Sequence, residues 1–217
     1  MSAGEEISRP VDAVLAAYDA LSIYQERNRE FNGGLEPPIC FYNNYQGQKR
    51  HGLIDIVSER AGLKSIKIKC LTENTPNILG GTRRYGEHAL IWIAGGLNIC
   101  WSRFVIAKEL SNLLIGEEGN FTEDLSSFVI QVSGRDFLPQ NMGTIMQAEE
   151  AAYTGAMEIL LPKFLSERYF AMISEPRGIR SVAELFRTPE AIVAIRTNSR
   201  VRIAFEQNYT ALPKAGE

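Results

Sequence analysis

What most constrains the fold of this chain is a change in the spacing of its apolar residues. SIKIKCL, from Ser65 to Leu71, alternates and is rich in β-branched side chains, the pattern of a strand lying on a core. HALIWIA, from His88 to Ala94, is an apolar run of strand length. NILGGTRRYGE between them continues the theme, with Gly80, Gly81 and Gly86 as turn or bulge positions. On either side of this stretch the period is helical. Val11, Val14, Leu15, Tyr18, Leu21 and Tyr24 predict one amphipathic helix from Pro10 to about Glu30. FNGGLEPP then interrupts it with two glycines and two prolines. GLIDIVSERAGL predicts a short helix ending at Gly62. Helix, helix, a few strands and then mostly helices make an α+β chain, a small sheet beside a helical body.

Beyond the strands, RFVIAKELSNLLIGEE (Arg103–Glu118) is helical, with Asn98 or Ser102 placed to cap it. Thr122-Glu123-Asp124 carries a helix-start signal. A long helix is expected from about Pro139 to Leu161, with Ile145, Ala148, Ala152, Ala156 and Ile159 on one face and Pro162 at its end. KFLSERYFAMI is another short helix, and two more flank a turn at Arg187-Thr188-Pro189. Three segments follow from this: an N-terminal helical arm and linker (1–35), a main body (36–162) and a C-terminal helical segment with helix-turn-helix-like spacing (163–217).

Composition narrows the function classes. Hydrophobic residues are 45%, charged residues 23% and the net charge −3, so the whole chain carries no nucleic-acid footprint. No apolar run approaches the ~18 residues of a membrane span. The opening MSAGEEISRP is acidic and polar, unlike a signal peptide, so a cytoplasmic location without membrane contact is expected. Cys40, Cys70 and Cys100 are an odd set without C-x-x-C spacing, which reads as free thiols in a reducing compartment. His51 and His88 sit beside turn or charged residues and read as surface or structural histidines.

The chemistry lies in the helix after the strands. In H-E-x-x-H, two imidazoles four residues apart share a helical face and converge on Zn²⁺, while the glutamate between them polarises the metal-bound water. Here the spacing survives as Lys108-Glu109-Leu110-Ser111-Asn112, without either histidine. RFVIAKELSNLLIGEE resembles the R-F-x-x-A-H-E-L-G-H-L-L-L stretch of the IrrE/ImmA family of metallopeptidases. Arg103, Phe104, Ala107, Glu109, Leu110, Leu113 and Leu114 fall in register. EEAAYTGAMEILLP resembles that family's E-x-x-A-N-x-F-A-x-x-L-L-M-P segment, sharing Ala152, Ala156, Leu160 and Pro162, with Tyr153 and Gly155 as departures. SVAELFRTPEAIVAIR is similar to the helical segment that follows it, and HALIWIA falls where the family carries an edge strand.

The resemblance covers about Gly52 to Arg196. It implies a zincin-like (gluzincin) fold, Glu149 at the third ligand position, and a protein acting in transcription regulation and in mobile elements. The departures imply a lost metal. A protonated Lys108 has three donors and no lone pair. Asn112 offers only an amide oxygen, a poor zinc ligand beside imidazole. Lys108 is therefore expected to stand in for the metal, supplying the counter-charge that Glu109 and Glu149 would otherwise lack. On this reading the chain is catalytically degenerate, holds no zinc or other cofactor, and binds a protein, a transcriptional regulator on the family's pattern, through the remnant cleft. Strand addition to HALIWIA is the expected mode.

Two other readings stand beside it. Between Lys163 and Arg202 there are eight basic residues against four acidic, a local excess of +4 on an acidic chain. Arg177, Arg180, Arg187, Arg196, Arg200 and Arg202 are its candidate nucleic-acid contacts, in a DNA-associated transcriptional regulator. A live peptidase with an atypical metal site is the third.

Overall fold

The computed structural model describes residues 10–30, 36–45, 48–72, 78–116, 121–123 and 144–210. The architecture is α+β and mostly helical. Helix α1 (Pro10–Arg27) opens the described chain. A two-residue antiparallel ladder, β1 (Asn44–Tyr45) with β2 (Gln48–Lys49), leads to α2 (Leu53–Arg60). Three strands follow: β3 (Ser65–Cys70), β4 (Ile78–Tyr85) and β5 (His88–Ile93). Then come α3 (Ile99–Leu114), β6 (Phe121–Glu123) and α4 (Thr144–Leu160). After a 3₁₀ turn at Lys163–Leu165, the described chain ends in α5 (Ser166–Ile173), α6 (Gly178–Phe186), α7 (Glu190–Thr197) and α8 (Ser199–Tyr209). No helix among the described residues is long and apolar enough to cross a membrane.

The sheet order is β3-β5-β4-β6. β3 runs parallel to β5, while β4 is antiparallel to both β5 and β6. HALIWIA is therefore an interior strand, hydrogen-bonded on both sides, and an extended partner cannot add to it. Its composition gives the reason. Ala89, Ile91 and Ile93 are buried on one face, and Leu90 and Trp92 are half-buried on the other, as suits a strand flanked by neighbours. β3, with exposed Lys67 and Lys69, is one edge and β6 the other, and on β3 the charge discourages unwanted pairing.

Gly80 and Gly81 lie inside β4, not in a turn, and the ladder to β6 is irregular between Ile78 and Gly80. A Cβ on Gly80 would come within 2.4 Å of a Val105 methyl, so the bare backbone is what lets α3 lie close on the sheet. Gly86, at φ 58°, makes the β4–β5 turn, and Gly62, at φ 66°, ends the turn after α2. The helix-start signal at Thr122 falls in β6, because Phe121–Glu123 pairs with β4. Residues 124–143, which include the rest of that expected helix and the start of the Pro139 helix, lie outside the described residues.

α1 is not a detached arm. Its stripe of Val14, Ala17, Leu21 and Tyr24 joins one core with α2, the sheet, α3, α4 and the α8 residues Val201, Phe205 and Tyr209. Its principal neighbour is α4, which also packs along α3. A smaller cluster of Leu161, Leu165, Tyr169, Val182, Phe186 and Val193 holds α5, α6 and α7 together.

Candidate functional site

Helix α3 starts cleanly because the Asn98 side chain accepts a hydrogen bond from the Trp101 amide at 3.0 Å. From Phe104 to Leu113 every residue of α3 is buried, including Lys108, Glu109, Ser111 and Asn112. A helix enclosed on all sides can carry charges only if they are paired.

Lys108 Nζ lies 2.8 Å from Glu149 Oε1 on α4 and 3.4 Å from Glu109 Oε1 on its own helix. The Tyr153 ring, one turn beyond Glu149, is centred 5.7 Å from the same nitrogen and stacks on Phe104. Glu109 Oε2 accepts from Thr82 Oγ1 of β4 at 2.7 Å and from Asn112 Nδ2 at 3.2 Å. Glu109 thus meets a cation, a hydroxyl and an amide from β4 and α3, and Lys108 links it to Glu149 of α4. Lys108 and Glu109 are fully enclosed, whereas the Glu149 side chain retains 22% exposure.

The structure therefore brings together all four of Lys108, Glu109, Asn112 and Glu149. Thr82 was not singled out from the sequence. Its partner is twenty-seven residues away in the chain, and a threonine in a strand carries no signal of its own. Close packing completes the arrangement. A Cβ on Gly155 would fall 2.1 Å from Ser111 Oγ, so the glycine standing where the resembling family has phenylalanine lets α4 approach α3.

Zinc does not fit this donor set. Three donor protons of an ammonium occupy the space beside Glu149, and they offer no lone pair. Asn112 spends its amide nitrogen on Glu109, and its Oδ1 has no hydrogen-bond partner among the described residues. Among the described residues, no group of three or more His, Cys, Asp or Glu converges as a metal site would. His51 and His88 are exposed, with His88 Nδ1 2.9 Å from Ser65 Oγ. Cys40 is buried, Cys70 exposed and Cys100 half-buried, all as thiols.

The six arginines proposed for nucleic acid do not act alike. Arg196 is 1% exposed and is withdrawn from that set. Its guanidinium lies 3.8 Å from the centre of the Phe205 ring, donates to Tyr209 Oη at 3.1 Å, and sits 3.7 Å from Glu158. Its position on the inner face of α7 explains this, since Ile192 and Val193 are buried on the same short helix. Arg180 is ion-paired with Glu184 at 2.9 Å. Arg177, Arg187, Arg200 and Arg202 are exposed, with Arg202 lying over the Phe170 ring.

Glu158, fully buried, is a second residue that sequence reasoning passed over, after Thr82. It accepts from the Lys163 amide at 2.9 Å and from Tyr209 Oη in a short hydrogen bond, and it faces Arg196. Burial pushes its carboxyl from 4.5 up to about 7, with Arg196 and Tyr209 pulling the other way. The available signal was one glutamate inside the apolar run AMEILLP. These contacts tie α7 and α8 to α4 and are structural.

No family model and no curated protein matches the sequence.

Proposed function

We propose that this chain is a non-catalytic relative of the IrrE/ImmA metallopeptidases, a regulatory protein that recognises a protein partner without cutting it. The observation that carries this reading is the position of Lys108 Nζ, between Glu149 and Glu109 and within 2.8 Å of the former. A dication and an ammonium cannot both sit there, and the ammonium supplies the counter-charge that two neighbouring carboxylates need. With Glu109 already bound to Thr82, Asn112 and Lys108, it is not free to polarise a water. The order of helix α2, strand β3, hairpin β4–β5 and helix α3 is in keeping with a zincin-like body. What is left to the site is recognition around Glu149, the least buried member of the group.

Mass spectrometry of the purified protein should find no stoichiometric zinc. Replacing Lys108 and Asn112 by histidine together should restore two imidazoles one turn apart, facing Glu149, and bring uptake of one zinc per chain. Stoichiometric zinc in the unaltered protein, or a peptidase activity abolished by Glu109→Gln, would overturn the reading.

A further inference from the structure

The side of the sheet turned away from α3 is basic and aromatic. Buried Thr82, Ala89, Ile91 and Ile93 define the helix-facing side, so by strand alternation the residues between them face outward. The pairing register lines these up in rows. Lys67 stands beside Leu90 and then Arg83; Lys69 beside Trp92 and then Gly81; His88 beside Tyr85. Lys67, Lys69, Arg83 and His88 are exposed, Tyr85 is 49% exposed, and Trp92 is half-buried. The Arg83 guanidinium lies 5.0 Å from the centre of the Tyr85 ring, so a cation and an aromatic ring stand together.

The outward positions of β3, β4 and β5 carry Lys67, Lys69 and Arg83 and no Asp or Glu, in a chain whose net charge is −3, while Arg84 lies on the helix-facing side and the far edge strand β6 brings in Glu123. No carboxylate among the described residues lies within ion-pair distance of Lys67, Lys69 or Arg83. The nearby turn residue Glu87 is held by Lys64 at 2.5 Å. The outer face of β3, β5 and β4 is thus locally positive on a negative molecule.

We infer that this outer sheet face binds single-stranded nucleic acid. Lys67 and Lys69, two residues apart on one edge strand, stand about 7 Å apart and can follow a phosphate backbone. Arg83 adds a third charge across the sheet. Tyr85 offers a ring on which a base can stack, a contact that tolerates any base. A duplex buries its bases and has no use for that ring, which is why a single strand fits better. The inference does not rest on the peptidase-like reading, because it uses the opposite side of the sheet.

The test is fluorescence anisotropy of labelled oligo(dT) and oligo(U) with the full chain, titrated at several salt concentrations. Three phosphate contacts predict a slope of about −2 in log affinity against log salt, and so a loss of about 20-fold between about 50 and about 200 mM. The two oligonucleotides distinguish a DNA from an RNA preference. Tyr85→Ala should weaken binding about tenfold. The combined substitution K67E/K69E/R83E, at exposed positions and checked for folding by circular dichroism, should weaken it at least as much and flatten the salt slope. R177E/R200E, in the C-terminal helices, should leave it unchanged. No binding at low salt, equal binding by K67E/K69E/R83E, or equal affinity for a duplex would each overturn the proposal. Equal affinity for polyglutamate would also overturn it, in favour of an acidic protein partner.

Discussion

Lys108 is the residue on which most depends. Methionine at that position keeps the length but removes the charge, leaving Glu109 enclosed beside Glu149 without a cation. Breaking a buried pair from one side costs about 3–5 kcal/mol. Lys108→Met is expected to lose stability of that order in urea denaturation, and adding Glu149→Gln should recover part of it. A loss below about 1 kcal/mol would mean that the carboxylates find other compensation. Glu158 makes a different prediction. Its folded carboxyl titrates at about 7 against 4.5 ordinarily, so in that window the folded protein keeps a proton that the unfolded chain has lost. Stability should therefore fall as pH rises from about 4.5 to about 7. Glu158→Gln should flatten this part of the profile of urea midpoint against pH, and an unchanged slope would assign it to other groups.

At the scale of elements, α3 and its two contacts decide the site. Removing the Asn98 cap with alanine should cost about 1 kcal/mol, whereas Ser102→Ala should cost less, since Asn98 Oδ1 is the acceptor for the helix amide. Thermal denaturation followed by circular dichroism would separate the two by about 2–4 °C. The α3–α4 contact is less forgiving. Gly155→Ala drives a methyl into Ser111 and should cost about 1–3 kcal/mol. Ser111→Gly removes the colliding atoms, so the double variant should be more stable than Gly155→Ala alone. If it is not, the obstruction lies elsewhere, with the Ala13 carbonyl the next neighbour at 3.2 Å.

For the whole molecule, periodicity and composition carried further than topology. α1, α2, β3, β5, α3 and the helix pair around Arg187-Thr188-Pro189 were all legible, because each is governed by local spacing, a cap or a breaker. The meeting of Lys108 with Glu109 and Glu149 could be anticipated only by setting the chain beside a known pattern, since no local rule brings residues 41 apart together. Strand order was not legible. HALIWIA looks the same in isolation whether it is an edge or an interior strand, and only β3 and β4 pairing on either side decides it. Arg196 failed for a similar reason, because its charge argued for the surface while a tertiary network of Glu158, Tyr209 and Phe205 held it inside. The same network predicts how the molecule opens. With Val201, Phe205 and Tyr209 in the main core, α8 amides should exchange hydrogen together with α4, not ahead of it. Faster exchange of α8 would show that the C-terminal helices are an independent unit.

The packing of α1 along α4 also sets a timetable for synthesis. Arg27 and Thr144 are separated by 116 intervening residues. At about 5–20 residues per second, the ribosome takes roughly 6–25 s to reach α4 once α1 is finished. For that interval Val14, Leu21 and Tyr24 have no completed core to enter. Helix α1 is an apolar surface that the growing chain must carry, exposed or chaperoned, until its distant partner is made.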